Sequence, residues 1–397
     1  MTHARWAALV GGVVVQVVIG GVYAWSLFGR ALQPGLSAVE AAIPFEVAIG
    51  MIFIGAFVGG RLQDRRSPRF VALVGVALYG AGVLLASLAT TPDLLWLLVL
   101  GYGVVGGFGL GMAYIVPVAL LQKWFPRHTA IVTGLAVGGF GFGATLTSPA
   151  AQFFIAQNPD APALAFRPLG LAYLVLGLIG AALLVSPPRQ EGDRTAAASD
   201  FTVAQALRTP QWYLLTATLT VAVLAGIALI SMMAGAAADV GGLDAAGAAA
   251  AVGVLALFNG AGRVVWASLA QKVGRLRVLA TILVLEGLAL IALPHTSGLT
   301  FLALAALVYL CYGGAFGVMP STAGTFFGVA HAGAIYGLML VGWSLAGVVG
   351  PLLGAWLAGG VGGYVVAFSV LGGIALVGAV LPVLTRPPRR DLPAPGR

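Results

Sequence analysis

Arg263 lies inside the apolar stretch Leu257-Phe258-Asn259-Gly260-Ala261-Gly262-Arg263-Val264-Val265-Trp266. A guanidinium keeps its proton at any physiological pH, and placing it near the centre of a bilayer costs at least about 2.5–3.5 kcal/mol. It is expected to face a cavity and bind an anion there, the competing reading being an arginine that snorkels to the nearer interface. Asn259, one helical turn earlier on the same face, can add a directed hydrogen bond to the same ligand. Glu286, flanked by Leu285 and Gly287, is the acid most plainly inside an apolar run, with Glu46 a second candidate nearer the end of its own run. A desolvated carboxyl could carry a proton, or pair with Arg263 while the site is empty; a locally satisfied acid is the plainer alternative. Tyr23, Trp25, Tyr114, Tyr312, Tyr336 and Trp343 also lie within apolar runs. Most Tyr and Trp in lipid are anchors or packing, but Tyr114 and Trp343 lie too deep in their runs for interface anchoring. No cluster has metal-ligand spacing and no nucleophile has a base nearby, so neither catalysis, a metal nor a cofactor is expected.

The elements that must hold these residues follow from composition. Of 397 residues 60% are apolar and 8% charged, with a mean hydropathy of +1.02, which leaves too little polar surface for a water-soluble globule. A bilayer core needs about 20 apolar residues per helix. Runs of that kind fall near 6–28, 43–60, 70–89, 94–121, 129–154, 166–185, 212–233, 245–268, 278–293, 299–322, 332–357 and 364–384, giving twelve predicted helices. The first is too long for a signal-peptide core and lacks a clean cleavage site. The polar interruption 186–209 divides the chain into a six-helix half, 1–185, a linker, a second six-helix half, 210–385, and a tail, 386–397. Seventeen of the 20 basic residues fall in loops that lie on one side if both termini are cytoplasmic, and only Arg30 and Arg167 fall on the other. This positive-inside bias accounts for the pI near 10 as topology, not as affinity for nucleic acid. Arg263 belongs to neither side. The lone Cys311 excludes an intrachain disulfide and reads as packing.

Gly101-Tyr102-Gly103-Val104-Val105-Gly106 matches the dinucleotide pattern but falls inside the fourth apolar run, without the strand, helix start or following acid that nucleotide binding needs. The two halves echo one another: Gly106-Gly107-Phe108-Gly109 with Phe125 and Gly134 recurs as Gly314-Ala315-Phe316-Gly317 with Phe327 and Gly337. Parallel six-helix repeats with a site at their interface are a known transporter plan. Glycine runs such as Gly138-Gly139-Phe140-Gly141-Phe142-Gly143 suit tight helix packing, and also helices that slide or bend. Gly60, Asp64, Arg65 and Arg69, between the second and third runs, resemble the loop signature of the major facilitator superfamily, in which an acid and arginines latch helix ends on the cytoplasmic face; Ser67 stands at that family's usual glycine. The second-half counterpart, Gln271-Lys272-Val273-Gly274-Arg275, lacks the acid and predicts a weaker latch.

Gly20-Gly21-Val22-Tyr23-Ala24-Trp25-Ser26, the Arg263 segment, Ala206-Leu207-Arg208-Thr209-Pro210-Gln211-Trp212-Tyr213 and Tyr312-Gly313-Gly314-Ala315-Phe316-Gly317 with Pro320 and Phe327-Gly328 resemble the oxalate:formate antiporter family and the proton-linked monocarboxylate transporters. The resemblance implies an all-α membrane fold of two six-helix bundles in which Arg263 holds the substrate carboxylate, Tyr23 and Tyr114 line the pocket and Asn259 matches an asparagine of the monocarboxylate group. Tyr312 and Trp343 complete the expected site. Oxalate exchangers of this family carry a second cation, a lysine, where Trp343 stands here. With one fixed cation the site should favour one carboxylate, since a second would be buried without a partner. The expectation is a monomeric, multi-pass carrier of the inner (cytoplasmic) membrane that moves a lactate- or pyruvate-like monocarboxylate with a proton, Glu286 relaying the proton. An anion exchanger for formate or oxalate is the first alternative and a drug exporter the second, disfavoured by the positive site.

Overall fold

The computed structural model describes residues 2–32, 35–188 and 200–388, and among them every regular element is helical. Twelve helices are long and apolar enough to cross a bilayer: α1 His3–Gly29, α2 Glu40–Gln63, α3 Pro68–Ala86, α4 Pro92–Trp124, α5 Thr129–Gln157, α6 Pro162–Ala182, α7 Pro210–Met233, α8 Ala250–Val273, α9 Arg275–His295, α10 Gly298–Phe327, α11 Ala332–Ala358 and α12 Gly363–Leu384. They match the predicted twelve, with ends shifted by several residues where caps, not hydropathy, decide the boundary. Ser67 accepts a hydrogen bond from the Phe70 amide ahead of Pro68, and Thr209 accepts one from the Trp212 amide ahead of Pro210. A capping hydroxyl followed by proline at the first helical position satisfies the orphan amides while giving up none that would be paired. Ser67 does this in extended backbone (φ −91°, ψ 142°), so the turn needs no glycine where the family signature has one.

The loops α2–α3, α4–α5 and α8–α9 carry clustered arginine and lysine and mark one end of the molecule as its basic face. Two of the chemically active helices are irregular. The dinucleotide look-alike falls in a π-helical stretch of α4, Val99–Gly106, and α1 tightens into a 3-10 turn at Gly21–Ala24, the segment that carries Tyr23. Such irregular turns mark functional helices more often than inert ones.

α8, in the second half of the chain, runs wedged between α5 of the first half and α10 of its own. A Cβ on Gly317 of α10 would strike the Arg263 carbonyl, and one on Gly134 of α5 would lie 2.5 Å from the same oxygen. Backbones approach this closely only where the side chain is a hydrogen. The two glycines therefore set Arg263 at the seam between the halves.

The seam is shut toward the basic face. A Cβ on Gly60 of α2 would run into the backbone of Gly333 of α11, the Gln122 amide of α4 donates to the Pro320 carbonyl of α10 (3.4 Å), and nearer the middle Ser344 of α11 donates to the Ile49 carbonyl of α2 (2.7 Å). Beyond these contacts, the Asp200 carboxylate accepts from the amides of Val329 and Ala330 (2.9 and 3.0 Å) and so ties the chain ahead of α7 to the α10–α11 turn. Gly60→Val should force α2 and α11 apart at this end. Overpacking of this kind typically costs about 1–3 kcal/mol, enough to populate the basic-face-open state tenfold more at about 1.4 kcal/mol. Faster amide hydrogen exchange at the basic-face ends of α2 and α11, with the opposite ends unchanged, is the expected result; uniform exchange changes would refute this role for the contact.

Candidate binding site at the bundle seam

Arg263 is fully buried, and each part of its side chain is placed by a different helix. Its Nε donates to Asn259 Oδ1 on the turn before (3.3 Å), and its Nη1 donates across the seam to the Val137 carbonyl of α5 (3.2 Å). The guanidinium carbon lies 5.2 Å from the centre of the Phe140 ring of α5 and 4.9 Å from that of Phe316 of α10. Two ring faces, one from each half, thus flank the cation, an arrangement worth up to about 2 kcal/mol where water is excluded. Nη2 has no hydrogen-bond partner.

Around this group the aromatic side chains close a shell. Phe140 makes edge contacts with Tyr23, Tyr114 and Trp343 at centroid distances of 5.1, 5.5 and 5.7 Å, and Phe316 does so with Tyr312 and Trp343 at 5.3 and 4.8 Å. On the side away from the basic face, the Tyr23 and Tyr312 hydroxyls hydrogen-bond each other across the seam at 2.9 Å. Toward the basic face the hydroxyl of Tyr336, on α11, faces that of Tyr114 as its hydrogen-bonding neighbour. Tyr114 is fixed from behind by Gln16 of α1, whose amide donates to the Tyr114 carbonyl (3.0 Å) one turn from Pro117 within α4.

The unpartnered groups share a character. Arg263 Nη2 and the Trp343 Nε1 are buried donors without an acceptor at hydrogen-bond distance, and the Tyr114 and Tyr336 hydroxyls have only each other. Leaving such a group unmade costs about 1–3 kcal/mol, so two on one shell mark a place where an acceptor-rich, negatively charged ligand belongs.

The structure brings Arg263, Asn259, Tyr23, Tyr114, Tyr312 and Trp343 together around one point of the seam. Asn259 directs its side-chain oxygen to Arg263, which makes it a positioning partner of the cation. Trp25 stands apart: its indole donates to the Ala41 carbonyl (3.0 Å) and its ring packs with Phe28, Tyr102 and Phe166. Tyr336, named among the aromatics of the apolar runs but given no role, joins the site, and so do Phe140, Phe316 and the Val137 carbonyl, which were not singled out. Phenylalanines in glycine-rich runs read as packing, and a backbone carbonyl leaves no trace in side-chain chemistry.

Glu286 is fully buried in α9, and neither carboxyl oxygen has a hydrogen-bond partner. The pairing with Arg263 that the sequence allows is not formed, because the arginine's bonds go to Asn259 and Val137. The carboxyl instead lies behind Tyr312. A Cβ on Gly226 of α7 would stand 2.8 Å from Glu286 Oε1 and 2.8 Å from Tyr312 Cβ. Of the expected latch, Arg65 and Arg69 are exposed on the basic face, and the Asp64 side chain lies outside the described residues. In the second half Arg275 reaches Ser321 of α10 (Nε to Oγ, 3.3 Å), so a hydroxyl takes the place of the missing acid there.

Twelve membrane-long helices in two bundles suit a carrier, and the sequence model of the Major Facilitator Superfamily matches residues 8–265 and 221–397; the chain belongs to that family of transporters. Among its relatives are the uncharacterized MFS-type transporter YhjX of Escherichia coli strain K12, 29% identical with 87% of this chain and 86% of the relative covered, and the oxalate:formate antiporter of Oxalobacter formigenes, 25% identical with 97% and 94% covered. The apicoplast pyruvate carrier 1 of Toxoplasma gondii is 27% identical, with 87% and 82% covered. The fold matches that of the transporter FucP in its outward conformation with a TM-score of 0.71 at 16% identity, 96% of this chain and 99% of that one being covered.

Proposed function

We propose that the protein is a proton-coupled symporter of short monocarboxylates of the lactate and pyruvate type, working in the cytoplasmic membrane by rocking of the two bundles about Arg263. One observation carries the reading: a buried guanidinium at the seam is flanked by rings from both halves, and its Nη2 has no acceptor at hydrogen-bond distance. One carboxylate would answer that donor. A second would meet the Trp343 indole where charge compensation needs a cation, and an uncompensated buried charge is costly. Glu286 is the group in this reading that takes up the proton. The names of the antiporter and the pyruvate carrier support a carboxylate cargo.

The reading is tested in proteoliposomes. An inward proton gradient should drive radiolabelled lactate or pyruvate above its outside concentration, and a protonophore should collapse that accumulation. Exchange of formate or oxalate that ignores the proton gradient would favour instead the second reading, an anion exchanger, which the 25% identity to the antiporter over nearly the whole chain makes the main rival.

A further inference from the structure

We propose that Tyr102 is a positioning residue for Tyr23: its hydroxyl holds the 3-10 turn of α1 in the geometry that lets Tyr23 bridge the seam. The π-helical stretch of α4 thereby sets the closure on the side away from the basic face. Tyr102 lies within Val99–Gly106, the segment whose glycines imitate a dinucleotide motif, and its buried hydroxyl donates to the Val22 carbonyl (3.2 Å). That carbonyl belongs to the peptide unit that leads into Tyr23. It already accepts from the Trp25 amide, three residues on, where a continuing α-helix would use the amide four residues on. A 3-10 bond has the poorer geometry, and a carbonyl oxygen has two lone pairs, so a second donor from a neighbouring helix stabilises the turn. The Trp25 ring, 4.5 Å from that of Tyr102, closes over the same spot.

Both partners of this bond are placed by close backbone contact. On α4, a Cβ on Gly101 would lie 2.7 Å from the Gly82 carbonyl of α3, and one on Gly107 would lie 2.5 Å from the Ala48 carbonyl of α2, so the π-helical stretch is clamped on two sides. On α1, a Cβ on Gly20 would run into the Phe140 backbone of α5, and one on Gly21 into the Tyr173 hydroxyl of α6. Those contacts fix how near α1 comes to its neighbours but not the tilt of the peptide between Val22 and Tyr23. The Tyr102 hydroxyl acts on that tilt, and Tyr23 carries it to the seam. The Tyr23 hydroxyl meets Tyr312 across the halves at 2.9 Å and neighbours Arg263, and its ring contacts Phe140 at 5.1 Å.

Amide hydrogen exchange on the full chain in lipid nanodiscs tests this without any substrate, so its outcome leaves the carboxylate reading untouched. Loss of one such hydrogen bond predicts that Tyr102→Phe speeds exchange about fivefold in the halves of α1 and α10 away from the basic face, with the basic-face halves unchanged. Tyr312→Phe, which cuts the seam bond directly, should give the same pattern. Adding Tyr102→Phe to it should contribute less than about a further twofold, because both substitutions act on one bond. Replacing Tyr102 by 4-aminophenylalanine, which restores a donor on the same ring, should return exchange to the wild-type rate. Unchanged exchange in Tyr102→Phe overturns the inference, and so does equal speeding in every helix. Multiplied single effects in the double variant, or no recovery with the amino-substituted ring, would make Tyr102 a packing residue only.

Discussion

Arg263→Ala is expected to lower the rate of carboxylate uptake at limiting substrate by at least about 100-fold while leaving the protein as stable as the wild type, or more so. The substrate loses its charge-assisted hydrogen bonds, each worth about 1.5–3 kcal/mol, and a tenfold loss corresponds to about 1.4 kcal/mol. The fold loses a buried cation held by one asparagine oxygen, one carbonyl, the Tyr23 hydroxyl and two ring faces, with Nη2 lacking an acceptor at hydrogen-bond distance. Removing an incompletely compensated buried charge is often neutral or stabilising. Arg263→Lys should recover little, because an ammonium is a point donor and cannot bridge Asn259, Val137 and a ligand in one plane. Uptake kinetics and a thermal melt on the same preparations check both halves. A variant that transports normally would remove Arg263 from the site, and one that simply melts would make it structural.

The second large effect concerns Glu286→Gln. Glutamine keeps the shape of the buried carboxyl but holds no exchangeable charge, so counterflow of substrate should stay within about twofold of the wild type while proton-driven accumulation falls to equilibration. The sign of the pH dependence follows. In the wild type, acidifying the outside should load the carboxyl from that side and raise accumulation; in the variant, accumulation should stay flat with outside pH. Because Glu286 reaches the site through the Gly226–Tyr312 packing and not through Arg263, substrate affinity at fixed pH should change little. Normal proton-driven accumulation by Glu286→Gln would exclude this residue as the carrier of the proton.

The shell of the molecule is legible from the chain because lipid imposes it: a span needs a long apolar run, and the loops of one face collect the arginines. Arg263 is legible for the same reason, as a charge where charge is expensive. The rest of the site is less so. Tyr114 and Trp343 stood out by depth, but Phe140 and Phe316 differ in no local way from the many other phenylalanines that pack, and only the crossing of α5, α8 and α10 makes them the flanks of a cation. Tyr336 lies near the basic-face end of α11, where a tyrosine reads as an anchor; close approach of α11 to α4 turns it inward. The possible pair of Glu286 and Arg263 failed for a geometric reason. Their helices belong to one half of the chain, yet the arginine's bonds go to Asn259 and Val137 while the acid packs with Tyr312 against Gly226.

The bond from Arg263 to the Val137 carbonyl has a kinetic consequence. In the proposed site an incoming anion would not meet a bare cation; it would compete with a backbone acceptor already in place, and with ring faces that share the charge. Net affinity is the difference between these two sets of interactions, so it is smaller than the strength of the ion pair alone implies. A smaller difference shortens residence time, since affinity among related complexes is set mainly by the off-rate. Without such an internal competitor the site would hold its cargo longer and turn over more slowly.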